Sequence, residues 1–165
     1  QTQCFALFNG EKLIGAMMFG IPAMAGVAES YMPETPDRVI ELNRLCCIDD
    51  TVKNTESYFI GKAISWLKKH TNYKLILSYA DTFQGHEGVI YKATNFIHLG
   101  MTKPSRMLIA DGEKYHARML TKKSPKFENI RQRMKKGDEN IWTEPLPPKH
   151  IYILPLDKKT RKIFS

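Results

Sequence analysis

Polar side chains that can donate or accept protons follow a short apolar run near the middle of the chain. Leu75 to Leu77 are too few for a helix and lack helical spacing, so they predict a buried strand. The residues that follow carry hydroxyl, carboxylate, amide and imidazole groups: Ser78, Tyr79, Asp81, Gln84, His86 and Glu87, with Gly85 and Gly88 between them. A strand that ends in a carboxylate and leads into a glycine-containing loop is typical of a site at the carboxyl edge of a sheet.

A short helix is predicted directly after this loop. Its apolar residues recur with helical spacing, at Val89, Ile90, Ala93 and Phe96. Tyr91 lies beside that stripe. Asp81 could simply cap the loop, and Tyr91 could be a packing residue, but the density of ionisable and aromatic groups favours a functional site. The spacing alone does not name a reaction.

The first seventy residues contain the elements that must position this site. Strands are predicted at Cys4 to Phe8 and Lys12 to Phe19, joined by the hairpin signal Asn9-Gly10. A proline-rich loop from Ile21 to Pro36 precedes a third strand, Arg38 to Ile48. Arg44 interrupts the apolar pattern of that strand, so it is either at the surface or paired with an acid.

A helix is predicted from Thr55 to His70, with Asn54 as its cap. Its apolar residues form one stripe: Phe59, Ile60, Ala63, Ile64 and Leu67. The free amides of its first turn, at Ser57, could attract a phosphate. Glu56 is unfavourable at such a position, and most capped helices bind no anion.

The last third contains a second hairpin signal, Asp111-Gly112, a helix from Phe127 to Lys136 and a strand from Lys149 to Leu156. Three prolines, Pro145, Pro147 and Pro148, are expected to stop regular structure before that strand. The order of elements predicts an α/β or α+β domain, a mixed sheet with crossover helices. The length of 165 residues favours a single domain, 1–165.

The positive charge is concentrated in the last third. Residues 1–100 carry 9 lysines and arginines against 10 aspartates and glutamates, whereas residues 101–165 carry 16 against 7, a net charge of +9. This asymmetry favours a polyanionic partner over a generally solvated surface. The predicted phosphate contacts form two clusters: Arg131, Arg133, Lys135 and Lys136, and then Lys158, Lys159, Arg161 and Lys162.

Neither a membrane span nor a signal peptide is evident in the sequence, so no membrane partner is expected. Three cysteines, two of them adjacent at Cys46 and Cys47, suggest neither a disulfide framework nor a metal site, which fits a cytoplasmic location. His86 and His98 are weak evidence for a metal ligand pair, and no metal is predicted. The sequence does not indicate an oligomeric state.

Several motifs occur together in an order that resembles a known family. They are Asn43-Arg-Leu, Asn54-Thr-Glu-Ser57, Ser78-Tyr-Ala-Asp81 and Gly85-His-Glu-Gly-Val-Ile-Tyr-Lys-Ala-Thr-Asn-Phe96. Over roughly residues 5–100 the chain resembles the phage Mom DNA-modification family, and its order of elements resembles acyltransferases of the GNAT superfamily. The resemblance implies a GNAT-like, mixed and mostly antiparallel sheet flanked by helices.

The resemblance implies an enzyme that converts the exocyclic amine of adenine in DNA to a carbamoylmethyl derivative, which protects phage DNA from restriction. It implies functional roles for Arg44, Ser57, Asp81 and Tyr91. Ser57 and Asn54 would contact an acyl-CoA such as acetyl-CoA, Asp81 would accept a proton from the amine or orient it, and Tyr91 could protonate a departing thiolate or hold the cofactor. Arg44 would pair with Asp81 or with a phosphate.

Two alternatives remain open at this point. The usual Gln/Arg-x-x-Gly-x-Gly/Ala phosphate loop of the superfamily is absent. Its absence favours a non-catalytic DNA-binding module on a degenerate acyltransferase fold. A GNAT enzyme that acylates a protein or a small amine is the other alternative, with the basic last third incidental. For a DNA-modifying enzyme, the target base must be flipped or already unpaired.

Overall fold

The computed structural model describes residues 2–24, 26–81 and 88–164, and within it the chain divides into two compact units. The first contains the residues up to Met101 together with those from His150 onward, and the second extends from Thr102 to Lys149. The second unit is therefore an insertion between two strands of the first. The single domain expected over residues 1–165 remains a prediction.

The described residues form strands and helices in the following order. The strands are β1 (Gln3–Asn9), β2 (Lys12–Gly20), β3 (Val39–Cys47), β4 (Leu75–Asp81), β5 (Ile97–Met101), β6 (Ser105–Ala110), β7 (Glu113–His116), β8 (Ile141–Leu146) and β9 (Lys149–Pro155). The helices are α1 (Val27–Tyr31), α2 (Thr55–His70), α3 (Val89–Ala93), α4 (Pro125–Lys135) and α5 (Lys158–Arg161), with 3-10 turns at Pro36–Arg38 and Ala117–Thr121.

The first unit is built on a six-stranded sheet with the strand order β1-β2-β3-β4-β9-β5. β1 with β2, β2 with β3, and β5 with β9 are antiparallel, whereas β3 and β4 are parallel and connected by the crossover helix α2. The predicted mixed, mostly antiparallel sheet flanked by helices is therefore confirmed.

β3 and β4 pair over only a short part of their lengths. The register joins Val39–Glu41 to Leu75–Leu77, although β3 extends to Cys47 and β4 to Asp81. On its other side β3 stays paired with β2, with an irregularity at which Met18 faces Arg44 and Phe19 faces Leu42. This pairing leaves out Asn43, so β3 bulges just where its pairing with β4 ends, and a bulge bends its strand.

The pleat of β4 divides its side chains between two apolar clusters. Ile76 and Ala80 belong to the larger core, which packs under α2, whereas Leu75 and Leu77 belong to a second cluster with Met32 of the β2–β3 connection. Successive side chains of a strand point to opposite faces. The two faces are called here the α2 face and the α1 face.

The second unit is a three-stranded antiparallel sheet, ordered β7-β6-β8, covered by α4. Leu108 and Ala110 pack against Phe127 and Ile130 of that helix. Ser124 caps α4 by accepting a hydrogen bond from the amide of Phe127 at 3.5 Å.

Both predicted hairpins are confirmed, and the helix from Thr55 to His70 has the predicted bounds. Two local predictions are wrong. The Ile21 to Pro36 connection contains the helix α1, and Pro145 lies within β8. A proline is tolerated there because β8 is an edge strand of its sheet.

No helix in the described part of the chain is long and apolar enough to cross a membrane. The three cysteines, Cys4, Cys46 and Cys47, are free thiols.

Candidate active site

The hydroxyl of Tyr91 on α3 lies beside the hydroxyl of Ser78 on β4, close enough for a hydrogen bond that acts to lower the pKa of Tyr91. Ser78 is fully buried, and its Oγ lies 3.5 Å from the carbonyl oxygen of Leu42 on β3. The bond therefore lies where β3 and β4 separate, immediately after the pair Glu41 and Leu77.

Tyr91 is held on the α2 face by two aromatic rings. Its ring centroid lies 5.0 Å from that of Tyr152 on β9, in a stacked arrangement, and 5.2 Å from that of Phe96. Burial raises the pKa of Tyr91, the hydrogen bond with Ser78 opposes that rise, and Tyr152 adds to it. The net direction is upward, so Tyr91 is a neutral hydroxyl at physiological pH and can donate a proton.

The helix stripe predicted around Tyr91 is half right, because Ile90 and Phe96 pack on the larger core whereas Val89 and Ala93 are exposed. α3 ends at Ala93, Val89 is 68% exposed, and the buried residue of the helix is Tyr91 itself. Five residues are too short for periodicity to show which side faces the core. Tyr91, predicted to lie beside the stripe, is the residue that anchors the helix in the core.

Asp81 lies at the end of β4, three residues after Ser78. Since strand side chains alternate, Asp81 lies on the α1 face with Tyr79, opposite the face that carries Ser78 and Tyr91. Asp81 is half-buried and has an interaction partner. The structure therefore places Asp81 and Tyr91 on opposite faces of the sheet, next to the same opening between β3 and β4.

Tyr79, which the sequence placed among the polar residues of the site, and Glu41, which it did not, are neighbours on the α1 face. Burial raises the pKa of Tyr79 to about 12, and the neighbouring Tyr31 and Glu41 contribute to the rise. Glu41 Oε2 accepts a hydrogen bond of 3.0 Å from the amide of Ala23. Glu41 interrupts the apolar pattern of β3, and this is the sequence signal that could have found it.

Arg44 is exposed on β3, and its Nη1 donates a hydrogen bond of 2.8 Å to the carbonyl oxygen of Asn43. Of the two expectations for Arg44, the surface position is the observed one. Leu45 and Cys47 pack on the α2 face, so alternation places Arg44 on the α1 face, as it does Asp81. Its assignment to the chemistry stays a prediction.

The start of α2 lies at the end of the sheet where β3 terminates. Burial raises the pKa of the Cys47 thiol, and the next cause is the nearby Glu56 carboxylate in the first turn of α2. Ser57 is half-buried in that turn. Among the described residues, the amides of Glu56 and Ser57 have no backbone acceptor, whereas Tyr58 donates to the carbonyl of Asn54 at 3.0 Å.

Asn54 does not cap α2 through its side chain, which corrects the prediction. Its backbone has φ of 71°, in the left-handed region, and its side chain makes no capping hydrogen bond. Asparagine is tolerated in this conformation better than most residues. Asn54 thus shapes the turn that enters the helix and leaves the first amides of α2 without a side-chain acceptor from the cap.

The first basic cluster divides into two arginines with acidic partners and two exposed lysines. Arg133 bonds Asp111 through Nη1 and Nη2 at 2.7 and 2.6 Å, and bonds Asp138 through Nε at 2.7 Å. Arg131 donates to the Leu120 carbonyl and to Glu128. Both arginines are less than one-third exposed and bound to acidic partners within the unit.

The two lysines of that cluster, Lys135 and Lys136, are exposed, and so is the second cluster. α5 carries Lys158, Lys159 and Arg161, with Lys162 directly after it. The roles of all eight basic residues in DNA binding stay predictions.

No cluster of three or more metal-ligating His, Cys, Asp or Glu side chains occurs among the described residues. Gln84, His86 and Glu87, which the sequence placed in the site, lie outside the described part of the chain.

The chain is similar throughout to known proteins. The sequence model of the Mom protein family matches residues 1–165. The methylcarbamoylase Mom of Escherichia phage Mu is 32% identical over 112 residues, which is 67% of this chain and 46% of the phage Mu protein. The match therefore spans about half the length of that curated relative.

The fold is similar to that of acetyltransferases. An acetyltransferase from Bacillus subtilis, solved in complex with CoA, has a TM-score of 0.51 at 12% identity, covering 93% of this chain and 76% of its own. A variant of a spermidine N-acetyltransferase from Vibrio cholerae has a TM-score of 0.53 at 10% identity, covering 99% and 70%. An N-acetyltransferase from Staphylococcus aureus has a TM-score of 0.52 at 14% identity, covering 93% and 67%.

These likenesses show a GNAT-type acetyltransferase fold. Together with the family match over its whole length, they show that this chain belongs to the Mom protein family.

Proposed function

We propose that this protein is a DNA-modification enzyme that transfers an acyl-derived, carbamoylmethyl-type group to the exocyclic amine of adenine. The observation that carries the proposal is the hydroxyl pair of Tyr91 and Ser78 at the point where β3 and β4 separate, in a chain of the Mom family. The phage Mu relative is named a methylcarbamoylase. Protection of phage DNA from restriction would follow from the modified base.

The opening between β3 and β4 fits an acyl-CoA. Beyond Glu41 and Leu77 the two parallel strands are not paired, so their facing edges can bind an extended amide chain as a further strand would. Pantetheine is such a chain. The amides of Glu56 and Ser57 at the start of α2 would then hold the pyrophosphate. The Bacillus subtilis acetyltransferase of similar fold was solved in complex with CoA, which supports the assignment by analogy.

The positions of Tyr91 and Asp81 suit a reaction in which each handles one proton. When the amine attacks the thioester carbon, a carbon–nitrogen bond forms and the carbon–sulfur bond breaks. Tyr91 would protonate the departing thiolate from the α2 face, and Asp81 would accept the amine proton from the α1 face. That step by itself would give an N-acyl adenine and a free CoA thiol. A carbamoylmethyl product instead has the adenine nitrogen on a methylene carbon, so it needs a further bond-forming step and a source for its amide nitrogen.

The acceptor would be an adenine flipped from the duplex or already unpaired, because the amine is otherwise stacked and paired. Unpairing costs a few kcal/mol, which phosphate contacts of exposed lysines can offset. The inserted unit is suited to this because Thr102 to Lys149 carries 12 lysines and arginines against 6 aspartates and glutamates, a net charge of +6.

Mass spectrometry of nucleosides from DNA of cells that express the protein tests the proposal. We expect a modified deoxyadenosine that is absent from cells expressing the Tyr91→Phe variant. Unmodified DNA together with retained DNA affinity would instead support a non-catalytic DNA-binding module. Unmodified DNA with an acylated protein or polyamine would support a GNAT enzyme acting on another amine.

The cofactor assignment has its own test in thermal unfolding with CoA. A ligand present at a hundredfold excess over its dissociation constant stabilises the folded state by about 2.7 kcal/mol. We expect Tm to rise in millimolar acetyl-CoA or CoA, and the rise to shrink in Ser57→Asp, which places a negative charge beside the pyrophosphate. Ser65→Asp, an exposed serine two turns further along α2, is the matched control. An unchanged Tm in both ligands would contradict acyl-CoA binding.

A further inference from the structure

Two histidines lie behind the aromatic rings that hold Tyr91. His98 Nε2 on β5 and His150 Nδ1 on β9 are 3.0 Å apart, a hydrogen bond in which one ring donates and the other accepts. The His98 ring also packs on Tyr152, with centroids 4.9 Å apart and planes inclined by 35°. Tyr152 in turn stacks on Tyr91, so four rings connect β5, β9 and α3 without a break.

Tyr152 supports α3 through the backbone as well as through the Tyr91 ring. A Cβ atom at Gly88, the residue directly before α3, would lie 2.4 Å from the Tyr152 hydroxyl and ring. Gly88 also has φ of 69°, in the left-handed region. Tyr152 therefore touches both the start of the helix and its buried side chain, and a displacement of Tyr152 would move the Tyr91 hydroxyl relative to Ser78.

The histidine pair controls how firmly Tyr152 is held. His98 faces Tyr152 directly across the antiparallel pair of β5 and β9, and the register shifts immediately after it, between His98 and Gly100. A hydrogen bond across this irregularity joins the two strands where the regular ladder is interrupted. The bond survives with no added proton or with one, but two protonated rings have no acceptor nitrogen left.

The other titratable and charged groups around the pair are few among the described residues. Tyr152 and Tyr91 lie on the ring stack itself, Lys149 directly precedes His150, and Lys92 follows Tyr91 on α3. On the neighbouring strand β4, Tyr79 and Asp81 lie on the opposite face of the sheet. Within the ring stack, each histidine is hydrogen-bonded to the other.

We propose that His98 and His150 are positioning residues that, through Tyr152, hold the Tyr91 hydroxyl at the opening between β3 and β4. The importance of this position for catalysis rests on the function proposed above. The hydrogen-bonded pair braces Tyr152, and Tyr152 sets the place of Tyr91. Loss of the hydrogen bond loosens the whole stack while leaving the cofactor opening and the basic residues untouched.

The first test needs no activity measurement. Tyrosines labelled with ¹³C at Cζ report the position of each ring by NMR, and the Tyr91 signal is identified by its absence in Tyr91→Phe. Protonation of both rings removes the acceptor nitrogen of the pair. We expect the Tyr91 signal to move as acid is added, in step with the imidazole signals of His98 and His150. A Tyr91 signal that does not follow these histidines would overturn the proposal.

Conservative variants separate the hydrogen bond from the bulk of the ring. The amide of asparagine can replace Nδ1 and that of glutamine can replace Nε2. We therefore expect His150→Asn and His98→Gln to keep both the Tyr91 signal and turnover, and to remove the pH dependence of the signal. His150→Leu should displace the signal at every pH and lower kcat by about 10- to 100-fold with little change in KM.

His70→Leu is the matched control, because that imidazole is hydrogen-bonded to the Trp66 carbonyl at the far end of α2. It should change neither the Tyr91 signal nor kcat. Equal losses in His150→Leu and His150→Asn would contradict a role for the hydrogen bond. If wild-type DNA stays unmodified but the NMR coupling is present, the positioning role stands and the proposed function fails.

Discussion

Arg133 on α4 donates hydrogen bonds to the Asp111 carboxylate of the β6–β7 turn through Nη1 and Nη2, and to the Asp138 carboxylate through Nε. The three residues connect the hairpin, the helix and the turn that follows it. Since the guanidinium lies beside both carboxylates, it lowers the pKa of Asp111 and of Asp138. Arg133, which the charge pattern of the sequence suggested as a DNA contact, thus forms ion pairs within the inserted unit.

We expect Arg133→Gln to lower Tm, and Lys136→Gln on the same helix to leave it unchanged, in thermal unfolding at pH 7. The pKa values of Asp111 and Asp138 are depressed on folding, so their stabilisation is fully present above the ordinary carboxyl pKa of about 4. It is lost as the pH falls through the lower folded values. The difference in Tm between wild type and Arg133→Gln should therefore shrink in strong acid; a difference that stays constant would contradict the ion-pair explanation.

Tyr91→Phe should abolish DNA modification at a small cost in stability. The change removes the hydroxyl that bonds Ser78 and leaves the ring stack intact, so the free energy of unfolding should fall by about 1 kcal/mol. Asp81→Asn should likewise abolish modification, because it removes the proton acceptor. Nucleoside mass spectrometry measures the first effect and denaturant unfolding the second; full activity in either variant would return that residue to a packing role.

The raised pKa of Tyr91 also predicts how this group affects stability in base. A tyrosine whose folded pKa lies above its unfolded value stabilises the fold below about pH 10, and that contribution is lost as the pH rises through the folded pKa. The stability of Tyr91→Phe relative to wild type should therefore improve in strongly alkaline buffer. Urea unfolding across that pH range measures the change.

Gly88→Ala should destabilise the protein and reduce activity, whereas Gly61→Ala should stabilise it. At Gly88 the added methyl would meet the Tyr152 ring at 2.4 Å on a left-handed backbone. At Gly61, inside α2, nothing lies within 4 Å of the added Cβ, and alanine is favoured in a helix by roughly 0.5–1 kcal/mol. Denaturant unfolding of the two variants checks the opposite signs, and two effects of equal sign would show that Gly88 has no special contact.

Replacing Lys135 and Lys136 with glutamine should flatten the salt dependence of duplex binding. Each lost phosphate contact removes roughly 0.9 from the slope of log affinity against log salt concentration. The affinity should fall about equally for all sequences, because phosphate contacts do not read bases. The same substitution at Lys158, Lys159, Arg161 and Lys162 tests the second cluster.

Lys68 and Lys69, at the end of α2, provide a control with the same change of charge. Their replacement with glutamine should leave the slope unchanged. An equal effect from this pair would mean that net charge, and not a defined surface, governs DNA binding. A slope that stays steep without either basic cluster would assign the contacts to other parts of the chain.

Local patterns were sufficient for much of this protein. Asp111-Gly112 specifies a tight hairpin because both residues adopt the left-handed angles that such a turn needs, and the Asn9-Gly10 signal correctly placed the first hairpin, in which Gly10 alone has positive φ. The stripe of α2 is long enough for its period to identify a buried face. The ordered motifs around Asp81 and Tyr91 were sufficient to indicate the family, which the match over residues 1–165 confirms.

Only the tertiary structure decided how the site is arranged. The separation of β3 from β4, the bond between Tyr91 and Ser78, and the pair of His98 and His150 all join residues distant in sequence, and no local period encodes such contacts. The sequence showed that Arg133 is charged, but its acidic partners depend on how α4 packs against the turns around it. Side-chain type is thus local information, whereas the partner of a side chain is set by the packing of the whole fold.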